Sequence, residues 1–452
     1  MQKIKGKPKM LLYGCAGLGV NLLNLFMTSY LCSALLIGGF AEEVLPFQTY
    51  VSHDLIIASV WAVFAFAAKI IDGVIDIPMA SLTDRLKSRW GRRRPSLVIG
   101  LVPLVLSFLA FLFIPNPDGA TILNTVYYGL VLFVFYTAYT LVMVTYYATF
   151  TEIVDTEQER GYISNVKSVC DIIYFILGYV VVRMLLNGLN IRLVALICLP
   201  LVLTMLIPLF MIKEPSSKEG GFIEEKTVNL FKSLGYTFKN KDFIIWMIVY
   251  SFMTFGIQLF LGGINEYFSK VGMNMIFVML AAFAPVPFTL MLFNYLIKKK
   301  GFKFAIQYVL LVFALSMFWM FGFSFMEGGT LKTVMSIIGG LFCSFAVGAM
   351  FAVAYSIPSQ LAAEDEKRTG ISHSAMYFAV QGLFAGIATG IGTGIVLTAL
   401  KGTEEAPTDA IIYMTLICAI ACLISFALTF ILPRSLSELG REQPTTTEEK
   451  RD

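Results

Sequence analysis

The sequence predicts an all-α membrane protein: twelve transmembrane helices arranged as two pseudo-symmetric six-helix bundles. Three observations carry this expectation. First, the 452 residues are 57% hydrophobic and only 14% charged, with a mean hydropathy of +0.77, a balance that excludes an ordinary soluble protein of this length. Second, the apolar residues fall in continuous runs of about twenty or more, long enough to cross a bilayer and without the alternation of barrel strands. Third, landmarks recur in order at nearly one offset. Asp84 precedes Gly91 by seven residues as Asn294 precedes Gly301, Arg160-Gly161 lies over Arg368-Thr369, and Gly178 lies over Gly386.

Taken in order, the expected spans of the first half are 10–38, 53–82, 95–115, 121–150, 163–185 and 190–212. The first follows Lys3, Lys5, Lys7 and Lys9, is too long for a cleavable leader and has no small-residue cleavage site. The second runs from apolar Leu55–Ile71 into Asp72 and Asp76, and the third starts at Pro95, a residue suited to a first helical turn. The fourth carries Tyr136, Tyr139, Met143 and Tyr147 as a rough stripe at helical spacing, and the fifth has Lys167 and Asp171 at i,i+4. Polar residues 213–241 then read as a cytoplasmic linker, within which Val228–Phe238 has the pattern of a surface helix. The second half offers spans at 242–268, 272–297, 305–326, 331–358, 372–400 and 408–432. The organisation is thus a bundle at 1–212, the linker at 213–241, a bundle at 242–432 and a tail at 433–452.

Charge sets the expected topology. Basic residues crowd the N-terminus, Arg85–Arg94, the linker and Lys298–Lys303, so these segments and both termini are expected in the cytoplasm, with the protein in the plasma (inner) membrane. Flanking spans explain the basic loop better than nucleic-acid binding does. The seven cysteines sit in apolar runs without CxxC spacing and read as small core residues; His53 and His373 cannot build a metal site alone. No structural metal and no cofactor are expected, nor any enzymatic centre, since neither a nucleophile elbow nor a phosphate loop is present.

Asp72 and Asp76 carry the most information. They share one helical face. At about 1.5 Å per residue they lie roughly 18 and 12 Å inside Asp84, near the middle of the bilayer. A bare charge there costs at least ~2.5–3.5 kcal/mol, so acids held at that depth are as a rule functional. The pair suits a sodium ion, which takes hard oxygen ligands, or one shared proton. Thr145 and Thr149, with Thr28 or Asn24, are candidates for further oxygens. In the second half Asp72 and Asp76 fall over Ala282 and Val286, so an ion site is expected in the N-terminal half alone.

Asp72, Asp76, the eight-residue step to Asp84-Arg85, then Ser88-Arg89-Trp90-Gly91-Arg92 and Arg94-Pro95 together resemble the span-2 signature of the glycoside–pentoside–hexuronide:cation symporters. These are the melibiose-permease branch of the major facilitator superfamily. Tyr13-Gly14, Gly19 and Asn21 are similar to that family's first span, Glu159-Arg160 with Lys167 to its fifth, Asn265-Glu266-Tyr267-Phe268 to its seventh, and Val380-Gln381 to its eleventh. The likeness touches nearly the whole chain, and only the span-2 block is highly specific. It implies a major facilitator fold working by alternating access, a coupling Na+ or H+ at Asp72 and Asp76, a sugar ring stacked on Tyr147 and a basic binding residue at Lys167. The chain departs from the pattern at Asn21 and Met143, where melibiose-type members carry acids, and at Gly386, where they carry lysine; Pro78 stands one place late and Ala80 replaces a glycine.

The expected substrate-binding set is Asn21, Asn24, Tyr139, Tyr147, Lys167, Asp171, Gln258 and Gln381, with Lys167 linking ion and solute sites. Asp84, Arg85, Arg89, Arg92 and Arg94 form an expected cytoplasmic gate in which Asp84 caps the third span. The resulting expectation is cation-coupled symport of a sugar or glycoside. A lysolipid or other amphiphile carrier is the alternative, and a non-transporting receptor or scaffold the reading from another class. The partners expected are a small solute and membrane lipid, with no nucleic acid, and the protein is expected to be a monomer.

Overall fold

The structure is a computed structural model, described over residues 3–37, 53–75, 78–79, 86, 88–154, 157–214, 238–369, 374–406 and 408–437. Among these residues eleven helices are long and apolar enough to cross a membrane, and a twelfth apolar helix, Ala58–Val74, packs among them. The first half contains α1 (Lys7–Leu35), α2 (Ala58–Val74), α3 (Arg93–Phe111) and α4 (Ile122–Glu152). It also contains α5 (Glu157–Ile176, continuing to Leu186) and α6 (Ile191–Met211). In the second half are α7 (Lys241–Gly262), α8 (Met275–Lys300), α9 (Phe302–Ser324), α10 (Thr330–Thr369), α11 (Ser374–Thr389, continuing to Lys401) and α12 (Ala410–Ile431). Thr121, Asn190, Asn240 and Asn274 each accept a backbone N–H at the start of a span, satisfying donors that helix geometry leaves open.

Local sequence explains where spans bend or stop. The seventh span, expected as one run to residue 268, breaks at Gly263 and resumes as Ile264–Val271, which ends on left-handed Gly272. Gly301, at φ 86°, separates α8 from α9 in a conformation that favours glycine. The tenth helix runs to Thr369, eleven residues beyond its expected limit of 358. Three helices widen into π turns: α1 at Met27–Leu31, α5 at Leu177–Val181 and α11 at Gly390–Val396. The proposed surface helix at 228–238 lies almost wholly outside the described residues.

Within each half the spans pack chiefly on one another, α3 on α4 and α9 on α10 and α12. Two seams join the halves. Along the first, α2 lies against α11: Gly73 touches the Gly382 carbonyl, and Gly386, Gly390 and Gly394 meet the backbone of residues 65–69. Along the second, α5 meets α8 through rings, with Phe283 stacked on Phe175 at 5.0 Å and on Tyr179 at 5.6 Å.

Candidate functional site

Between the two seams lies a cavity of about 590 Å³, a size suited to a small organic solute. The first half contributes Asn21 and Asn24 from α1, Asp72 from α2, and Tyr136, Tyr139 and Tyr147 from α4. From the second half come Gln258 on α7 and Thr389 and Thr393 on α11. Asn24 Oδ1 is buried and has no protein hydrogen bond. Charge on the described lining falls into two balanced pairs: Lys69 with Asp72, and Lys401 with Glu266.

Asp72 lies on the cavity wall. Its neighbours differ from expectation. Lys69 Nζ stands 3.7 Å from Asp72 Oδ2 and 4.0 Å from the centroid of the Tyr136 ring, a cation–π distance. Thr140 donates to Asp72 Oδ1 at 3.2 Å. The fourth span's hydroxyl at the acid is therefore Thr140, and the expected Thr145 and Thr149 are not brought there. Thr145 donates to the Leu141 carbonyl, while Thr149 donates to the Tyr146 carbonyl and bonds Tyr13. The reason is register: at about 100° per residue, positions five and nine beyond Thr140 point roughly 140° and 180° away from it. Asp76 lies outside the described residues.

Lys167 pairs with Asp171 at 2.6 Å. Neither reaches the cavity lining. They stand behind it: Asn21 Nδ2 donates to Asp171 Oδ1 at 3.4 Å, and the Tyr139 hydroxyl donates to Asn21 Oδ1 at 3.1 Å. A charged pair thus orients a cavity-facing amide and phenol, and Lys167 also lies 5.2 Å over the Tyr147 ring. Gln381 is likewise buried away from the lining, where it accepts a bond from Trp246 at 3.4 Å.

At the end that carries the chain's termini, Asp84 and Arg85 lie outside the described residues, and Arg89 is exposed. The start of α3 is capped by an acid that sequence reasoning passed over. Glu214, just beyond α6, accepts the backbone N–H groups of Arg92 and Arg93 at 2.9 and 2.8 Å, where the helix dipole favours negative charge. Arg94 Nε reaches the Leu209 carbonyl on α6 at 2.9 Å. The opposite end is closed by bonds between the halves. Asn265 donates to the Ser29 carbonyl at 2.7 Å, Arg183 to Ser269 at 3.3 Å, and Tyr179 to the Leu261 carbonyl at 3.2 Å. Asp54 and Glu404 each accept the other's backbone N–H, at 2.8 and 3.2 Å.

Residues 12–433 match the model of a family described as MFS/sugar transport protein. Over 103 residues the chain is 31% identical to an uncharacterized symporter of Synechocystis sp., a stretch that is 22% of this chain and 19% of that protein. The match therefore spans about a fifth of that relative's length. Among solved structures, a mutant form of the nucleoside transporter NupG superposes with a TM-score of 0.63 at 14% identity, covering 94% of this chain and 100% of that one. A bacterial homolog of the human lysosomal transporter Spinster, in an inward-facing and unoccupied conformation, gives 0.60 at 14% identity over 97% of this chain and 100% of its own. A POT family transporter in complex with a thioalcohol-conjugated peptide gives 0.62 at 12% identity, covering 94% and 96%. At such identities these likenesses speak for the fold.

Proposed function

Since the chain belongs to the MFS/sugar transport protein family, and is accordingly an integral membrane transporter with no enzymatic role, we propose that it carries a sugar or glycoside in symport with Na+ or H+ by alternating access. One observation supports this most directly: the cavity between the halves presents tyrosine rings, amides and hydroxyls among its leucine, methionine and other apolar side chains, while its described charges cancel in pairs. Such a wall suits a neutral solute rich in hydroxyl groups, which stacks an apolar ring face on an aromatic and hydrogen-bonds around its edge. Asn21, Asn24, Tyr139, Tyr147 and Gln258 are the proposed contacts, with Lys167 and Asp171 acting from behind.

Coupling follows from Lys69. Its ammonium stands beside Asp72 at 3.7 Å. An arriving Na+ or proton takes over the carboxylate, with Thr140 as a further oxygen for the metal ion, while Lys69 keeps the contact it already makes with the Tyr136 ring. Asp76 is the proposed second acid. Both termini are proposed to be cytoplasmic in the plasma membrane, because the basic segments lie on their side; the closed end then faces outward, and the carrier works as a monomer.

The test is uptake into proteoliposomes driven by a sodium or proton gradient, with radiolabelled glycosides, nucleosides and lysolipids offered in parallel. Gradient-driven accumulation of a glycoside is the expected result. Accumulation of a lysolipid alone would replace the substrate, and uptake indifferent to both gradients would remove the coupling.

A further inference from the structure

Lys401, the last residue of α11, has a side chain only 8% exposed. Its ammonium leaves its own half. Nζ donates to the Ser33 carbonyl at 2.5 Å and to Ser33 Oγ at 3.2 Å, both on α1. Glu266, from its own half, stands 3.3 Å away and is itself 5% exposed. Ser33, Glu266 and Lys401 all line the central cavity, so the junction borders the route a solute would take.

The partition of these contacts between the halves is the informative part. The ion pair Lys401–Glu266 lies wholly in the second half, whereas the two bonds to Ser33 cross the seam. A buried ammonium stripped of its carboxylate is strongly disfavoured. Here separation of the halves would break only bonds to a neutral serine, and the carboxylate would move away together with the cation it compensates. Three further ion pairs, Lys69–Asp72, Lys167–Asp171 and Lys270–Asp409, also lie each within one half. Two other links at this end, Asn265 to Ser29 and Arg183 to Ser269, likewise put a neutral acceptor opposite the donor, whereas Asp54 and Glu404 meet with a carboxylate opposite each backbone N–H.

We infer that Lys401 is the latch of the closed end, gripping Ser33 across the seam, and that Glu266 is a counter-charge that travels with it, so that opening leaves the buried ammonium compensated. This rests on the alternating-access reading. Lys401 is a positioning residue in that cycle, and its role is to hold the closed end shut.

The chain supplies its own reporter, since Cys32, the neighbour of Ser33, lines the cavity. A membrane-impermeant maleimide is applied from the side opposite the termini, and modification of each cysteine is read by mass spectrometry. Lys401→Met is expected to label about tenfold faster at Cys32, the consequence of losing a hydrogen bond from a charged donor. Lys401→Met/Glu266→Gln is expected to label as fast, because the grip on Ser33 is still missing. Labelling of Lys401→Met at the wild-type rate would overturn the inference. So would a double variant returned to the wild-type rate, since Lys401 would then supply only charge balance within its own half. Cys418 and Cys422, both fully buried, report unfolding; if either reacts, Lys401→Gln is read in place of Lys401→Met by the same two criteria. Gradient-driven uptake separates this inference from the one beneath it. Wild-type uptake with unchanged variant labelling removes the latch alone, and faster variant labelling without wild-type uptake removes the transport reading alone.

Discussion

The two seams between the halves are pseudo-equivalent in position and opposite in chemistry. Along α2 and α11 the contact is backbone against backbone, made possible by Gly386, Gly390 and Gly394 at four-residue spacing on one helical face. Along α5 and α8 it is a stack of rings, Phe175, Tyr179 and Phe283. The cavity-wall acid and its lysine belong to the first seam, and Ala282 stands where the repeat would put Asp72. The difference teaches a division of labour. Glycines leave no side chain to rearrange, so the first seam holds α2 and its charge at a fixed separation from the other half. Rings can slide over one another at small cost, so the second seam is the more deformable of the two.

The sharpest break should come from the charge. Asp72→Asn leaves Lys69 without its carboxylate, a change that costs about 3–5 kcal/mol when a fully buried pair loses one partner and less for this partly exposed pair on the cavity wall. The expected outcome is loss of gradient-driven uptake while exchange across equal concentrations is affected less; equal loss of both would deny Asp72 a coupling role. Next is Gly386→Leu, whose added carbon falls on the Lys69 carbonyl. Overpacking of this kind costs about 1–3 kcal/mol, and we expect a lower Tm together with abolished transport. A variant with normal Tm and uptake would mean that the glycine seam is not tight in the working protein.

On the ring seam, Phe283→Leu should cost less, about 0.5–1.5 kcal/mol for the lost stacking. Transport should fall a few-fold at most, and a loss as large as that of Gly386→Leu would erase the contrast between the seams. The smallest effect expected is that of Thr140→Val, which removes one hydrogen bond to the partly exposed Asp72, worth about 0.5 kcal/mol, the low end for such a bond. It should raise the cation concentration for half-maximal uptake about twofold, whereas Thr149→Val should leave that concentration unchanged.

Much of this architecture was legible in the sequence because membrane spans announce themselves through length and apolarity. Asp72 was legible for the same reason, as a charge where hydrocarbon tolerates few. Lys69 was not, although its signal was present: it lies one turn before Asp72, inside a run read simply as apolar. The fourth span shows how register defeats composition, since Thr140, Thr145 and Thr149 are equivalent as residue types and only the helix's rotation selects Thr140. Glu214 is the harder case. Its bonds reach Arg92 and Arg93, more than 120 positions away, and no local pattern in a polar linker marks it for that contact. The glycine period of α11 was readable as spacing, but what it packs against needed the other half of the molecule.

The π turns of α1 and α5 have a consequence for how this protein can vary. Widened winding leaves main-chain oxygens available, and two of them are taken: the carbonyl of Ser29 by Asn265, and that of Gly178 by the Tyr30 hydroxyl. Main-chain atoms are present whatever residue occupies the position. Substitution at Ser29 therefore leaves this acceptor in place, and only the bond of the Ser29 hydroxyl to Tyr179 at 3.2 Å is lost. Deleting a single residue from the Met27–Leu31 turn, which would restore ordinary winding, is the change that would reach the acceptor itself.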